Sequence, residues 1–117
     1  AVAVTPAEGR RALAWSPKGP QRRDGGPADL HAGRIETSMM LAIDPGPVRL
    51  ALAERGADAT IAELRDRGVR AVSDSGVLGD PDGASGREGE RFITAFVADL
   101  VHQIERWRPL DPAGAVS

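Results

Sequence analysis

The chain has 117 residues, a formal net charge of −2, 27% charged and 41% hydrophobic residues, which suits one domain with a modest core. Cysteine is absent, so disulfides, a thiolate nucleophile and cysteine-held metals are excluded. Aromatics amount to 3% with no Tyr, which argues against a base-stacking surface for nucleic acid, and no apolar run approaches the roughly 18 residues of a membrane span.

Nucleic acid and membrane are therefore not expected partners. No secretory pattern opens the sequence, and a cytoplasmic home is the expectation. Ala, Gly, Arg and Pro dominate, a bias that GC-rich coding DNA produces as readily as function does. The first residue is Ala1, as expected of a processed product or of part of something longer.

In chain order, residues 1–8 (AVAVTPAE) fit a frayed strand. The run ALAWSP, stopped by Pro17, predicts a buried strand. From Lys18 to Leu30 the chain is rich in Gly, Pro, Arg and Asp, and a surface loop is expected over 18–30. Helical spacing starts near Ile35, with Ile35, Met39 and Ala42 on one stripe and Met40 and Ile43 beside it, and Pro45 ends it.

TIAELRDRG predicts a second short helix closed by Gly68. VRAV predicts a strand, and SGVLGDPDGAS a strand end passing into a turn. Ser85 and Glu88 match a capping box opening the last helix. Its apolar positions are Phe92, Ile93, Phe96, Val97, Leu100, Val101, Ile104 and Trp107, and Pro109 lies beyond. A flexible tail is expected over 109–117. Strands alternating with helices argue for an α/β layered fold.

The pairing of most chemical interest is His31 with Glu36. Imidazole and carboxylate are common ligands of divalent metals and also suit proton transfer. His31 falls before a helix and Glu36 in its first turn, while Gly33 between them offers a sharp backbone turn. Thr37 and Ser38 add hydroxyls able to hold the carboxylate.

On spacing alone the structural reading weighs more, since an acid in the first turn is favoured by the helix dipole and a histidine before it can cap. Two donors are also fewer than the three protein ligands usual for catalytic zinc, and His102, late in the last helix, does not supply the third. Other motifs fail. Gly83, Gly86 and Gly89 do not form G-x-G-x-x-G, DPDGAS lacks the closing glutamate of a calcium loop, and the arginines near 10–23 suit a solvated face.

HAGRIETSMMLAIDP (residues 31–45) resembles the H-A-G-x-x-E-T-S signature of the creatininase family of metal-dependent amidohydrolases. GVRAVSDSGVLGDPDGASGREGERF is similar to that family's closing segment, and EGRRALAWSPKGP is closest to its mycofactocin-system members. The resemblance spans about residues 8 to 108.

It implies a three-layer αβα fold and a divalent metal, zinc or iron or else manganese. It also implies hydrolysis of amide-type bonds. For the mycofactocin-type members the substrate implied is a modified precursor peptide, from which a C-terminal Val-Tyr is removed, and the full-length form is expected to be a homo-oligomer. Carried over by position, Glu36 would be the metal ligand and His31 the catalytic proton shuttle or substrate contact. Gly33, Thr37 and Ser38 would support them, and the loop before His31 would line the substrate opening.

The family's E-x-H with its following Asp, and its G-H-G-G-N stretch, are both missing from this sequence. The expectation is therefore a single, partial creatininase-like domain over 1–117, corresponding to the C-terminal half. Such a chain lacks the remaining ligands and is inactive alone. Two other readings stay open: a different amide hydrolase of the family, such as a deformylase or a creatinine-type cyclic amide hydrolase, and a non-catalytic α/β interaction module.

Overall fold

A computed structural model describes residues 13–19 and 29–107. The expected strand at 1–8, most of the 18–30 loop and the 109–117 tail lie outside the described residues. The chain divides into two compact units, residues 19–94 and residues 1–18 with 95–117. In the second, the Trp15 indole Nε1 donates to Asp99 Oδ2 at 2.6 Å. The unit formed by 19–94 contains His31, Glu36 and the residues around them.

Among the described residues four α-helices form, α1 (Arg34–Ile43), α2 (Ile61–Arg67), α3 (Val69–Val72) and α4 (Gly86–Arg106), with a 3-10 turn at Leu50–Leu52. None is long and apolar enough to cross a membrane. α1 and α4 match the expected periodicity closely. α2 opens on a full capping box, with the Thr60 side chain accepting from Glu63 N and the Glu63 carboxylate accepting from Thr60 N. It closes at Gly68, whose φ of 76° is a conformation glycine adopts without steric cost.

Two expected strands are corrected. VRAV is not a strand but the single helical turn α3, closed by Ser73 N donating to Val69 O at 2.9 Å. The described part of ALAWSP has no regular structure. The physical reason is the same in both places. A strand leaves its backbone groups unpaired unless a neighbour runs beside it, whereas a helical turn can pair within itself, and no neighbour pairs with either segment among the described residues.

Extended structure is confined to one place. Leu78 N donates to His31 O at 2.8 Å, and Leu78 O accepts from Leu30 N and His31 N at 2.8 and 3.1 Å, forming an isolated antiparallel bridge. On the other side of the same segment, Gly56 N donates to Gly79 O and Ala57 N to Val77 O, at 2.9 and 3.1 Å. Residues 77–79 are thus flanked by backbone on both edges, and Leu78 is 1% exposed. The creatininase-like expectation of an α/β class thus meets a largely helical chain, with no strand longer than a bridge among the described residues.

α1 and the start of α4 touch through backbone. A methyl group at Gly89 would overlap the Ser38 carbonyl, so only glycine permits this approach. Ser38 is fully buried, and its Oγ accepts from Ser85 N at 3.1 Å and donates to Glu88 Oε2 at 3.2 Å. Gly89→Ala is expected to destabilise the chain by about 2–3 kcal/mol or more, because the obstacle is backbone and has little room to yield. A urea-unfolding midpoint unchanged by this substitution would contradict the crossing.

Candidate active site

The site is built on a bend of five residues, Asp29 to Gly33, that leads into α1. The backbone N–H and C=O of His31 are both committed to Leu78, which fixes where the imidazole starts. Ala32 then takes φ 53°, the left-handed region, which costs a non-glycine residue about 1–2 kcal/mol. This reversal carries the Ala32 N–H to Glu36, whose Oε2 accepts it at 2.5 Å. The same oxygen stands 3.6 Å from His31 Nδ1.

Both side chains are solvent-facing, at 56% and 54% exposure, so the pair is open to a ligand. Glu36 Oε1 accepts no hydrogen bond among the described residues, leaving one carboxylate oxygen held and one uncommitted.

The expected supporting residues divide. Thr37 Oγ1 donates to Ala32 O at 3.4 Å, bracing the bend from its carbonyl side. The Ser38 hydroxyl engages Glu88 and Ser85 instead of Glu36, so it joins helices and does not hold the Glu36 carboxylate.

Gly33 serves differently from the turn expected of it. Its φ is −87°, open to any residue, and the turn falls on Ala32. What demands glycine is crowding, since a methyl at 33 would overlap the Asp29 carboxylate. Asp29 Oδ2 accepts from Ile35 N at 2.8 Å, taking one of the unpaired N–H groups at the start of α1.

The capping box expected at Ser85–Glu88 forms by half. Glu88 N donates to Ser85 Oγ at 3.2 Å, but the Glu88 carboxylate turns to α1, accepting from Arg34 Nε at 2.7 Å and from Ser38. The Arg34 hydrogen bond, aided by its charge, by Ser38 and by Arg91, holds the Glu88 carboxyl below its ordinary value of 4.5 against the opposing effect of burial. Sequence reading missed Asp29, Arg34 and Glu88 as partners of this region. An Asp two residues before the histidine was the available sign; the Arg34–Glu88 pair, 54 positions apart, had none.

Among the described residues no three His, Asp or Glu side chains gather as a metal-binding group. His31 and Glu36 by themselves are fewer than the three protein ligands usual for a catalytic zinc.

A carboxylate beside an imidazole on a helix-entry bend brings together two groups whose chemistry suits proton transfer. The chain belongs to the creatininase family: the family model described as creatinine amidohydrolase matches residues 5–104. Enzymes of this family are generally metal-dependent.

Among its relatives are proteins named mycofactocin precursor peptide peptidase. That of Mycobacterium tuberculosis (strain H37Rv) is 42% identical over 113 residues, covering 93% of this chain and 43% of the relative. That of Mycobacterium ulcerans is 45% identical over the same span and coverage. The one from Mycolicibacterium smegmatis is 44% identical over 86 residues, 70% of this chain and 35% of the relative. The chain therefore spans less than half the length of these relatives. No solved structure matches it.

Two predictions follow the geometry. Glu88 has a depressed carboxyl value, so its contribution to stability is present above the unfolded-state carboxylate range and is lost as pH falls through the folded value. Glu63, depressed mainly by its hydrogen bond from the Thr60 backbone, acts in the same sense. Unfolding free energy measured between about pH 6 and pH 3 should decline towards acid. Glu88→Gln should flatten part of that decline, and an unaltered slope would count against the Arg34 pairing.

At the bend, Ala32→Gly should be tolerated or stabilising by less than about 1 kcal/mol, whereas Ala32→Val should cost about 1–2 kcal/mol. Thermal unfolding of the two variants tests this. Equal losses would mean that residue 32 is not left-handed.

Proposed function

We propose that this chain carries the His31–Glu36 portion of a creatininase-family peptidase site that releases the C-terminal Val-Tyr dipeptide from the modified mycofactocin precursor peptide. The observation that supports it best is the Glu36 oxygen that accepts from Ala32 N at 2.5 Å and stands 3.6 Å from His31 Nδ1. It leaves the other oxygen of Glu36 available. Identity of 42–45% to relatives named as peptidases of that peptide supports the substrate.

The ion, zinc or iron, would draw on Glu36 together with donors that the described residues do not supply. When bound, such an ion activates water and polarises a carbonyl. The chain's own residues handle position and protons. Ala32 N–H orients the Glu36 carboxylate, and the imidazole beside it accepts or delivers a proton. On this reading the three-layer αβα sheet draws its further strands from outside the described residues, the full-length form is a homo-oligomer acting in the cytoplasm, and the chain alone is inactive.

The test uses a chimera in which this chain replaces the aligned 113 residues of the Mycobacterium tuberculosis relative. With zinc or iron it should release Val-Tyr, while the isolated chain should not. In the chimera, His31→Ala or Glu36→Gln should lower kcat/KM by at least about 10²-fold. Cleavage that survives Glu36→Gln would defeat the assignment. Hydrolysis of formamides or creatinine in place of the peptide would redirect it within the family.

A further inference from the structure

We infer that Asp29 is a positioning residue that holds the His31–Glu36 pair in register, acting as a wedge beneath the bend. Three observations converge on it. Its Oδ2 accepts from Ile35 N at 2.8 Å, tying it to the first turn of α1. A methyl group at Gly33 would overlap its carboxylate, and so would one at Gly79. The carboxylate therefore lies between two stretches of chain. One follows His31, and the other follows Leu78, the residue whose backbone pairs with His31.

The consequence reaches Glu36 through Ala32. With His31 pinned to Leu78 and Ile35 pinned to Asp29, residues 32–34 must connect two fixed points. The left-handed turn at Ala32 is how they do so. That turn directs the Ala32 N–H to Glu36 Oε2. Without the wedge, the start of α1 loses one anchor and Ala32 is free to leave a costly conformation, taking its N–H away from the carboxylate. Asp29 need touch no substrate to matter. For its effect on turnover alone, this inference rests on the peptidase reading above.

The geometry makes an unusual demand at Gly33. Every atom nearest to a methyl placed there belongs to the Asp29 side chain, so the requirement for glycine should vanish with that side chain. In the 117-residue chain, Gly33→Ala should lower the unfolding midpoint, whereas Gly33→Ala added to Asp29→Ala should lower it no further than Asp29→Ala does alone.

The backbone amide resonance of Ala32 reports the second half of the inference. In the parent chain, Glu36→Gln should shift it strongly upfield. In Asp29→Ala the same substitution should leave it almost unmoved, and Asp29→Asn, which keeps the shape and an acceptor oxygen, should restore the response. Far-ultraviolet circular dichroism on each variant identifies any that has lost its helices. The Asp29→Asn comparison stands even if Asp29→Ala unfolds, because an Asn variant that folds but loses the Ala32 response overturns the inference.

In the chimera, Asp29→Ala should reduce kcat by up to about 10²-fold with KM little changed. An inactive chimera whose amide response still depends on Asp29 would defeat the peptidase reading and leave the positioning role intact. An Ala32 resonance that responds to Glu36→Gln equally with and without the Asp29 side chain would overturn the positioning role whatever the activity.

Discussion

The main-chain pairing of His31 with Leu78 is the constraint from which the rest of the site follows. Leu78 is almost fully buried, and its backbone groups have no water to turn to, so leaving either unpaired would cost about 1–3 kcal/mol. His31 supplies both a donor and an acceptor, and thereby becomes immobile at the backbone while its ring stays exposed. The side chain thus combines a fixed origin with an accessible tip. The flanking pairs from Gly56 and Ala57 keep the central segment extended, so the register of His31 is defended from the far edge as well.

Downstream of that anchor, the first half of α1 is restrained by polar contacts. The buried Ser38 hydroxyl sits at the crossing with α4, where it meets Glu88 and the Ser85 amide. Arg34 reaches the same carboxylate. Polar joints in so small a core are directional, which an apolar contact is not, and direction is what a two-residue site on one helix entry requires. Large apolar side chains such as Ile43, Leu52 and Val97 remain more than half exposed, so burial of apolar surface is a modest contributor within the described residues.

The helices were predictable because their information is local. Apolar spacing marked α1 and α4, and a terminal glycine marked α2. Family membership was readable too, since H-A-G-x-x-E-T-S is contiguous. The short segments failed for a physical reason: VRAV carries the composition of a strand, but composition cannot reveal whether a neighbour is present to pair with it, and α3 is what four residues do without one.

Ser38 and Glu88 were misjudged in the same way. Ser38 follows Glu36 so closely that a shared task looked natural, yet the helix turns it towards α4. Glu88 is spaced for a reciprocal cap, and the donors its carboxylate meets lie 50 and 54 positions away. Gly33 is expected to supply freedom of rotation, whereas its φ is open to any residue and the Asp29 carboxylate lies against it.

Gly33 and Gly89 share a property that bears on how this family's sequences should be interpreted. A methyl group at either would overlap a neighbour, a side-chain carboxylate at Gly33 and a backbone carbonyl at Gly89. A substitution survey scored only by turnover would rank both beside His31 and Glu36, as though all four did chemistry. Scored also by the amount of folded protein, Gly89 would separate from any residue whose loss removes only the reaction, because its own loss removes the molecule. Gly33 would move between the groups according to what occupies position 29. Intolerance at position 33 is thus a property of two residues together, the glycine and the side chain four places before it.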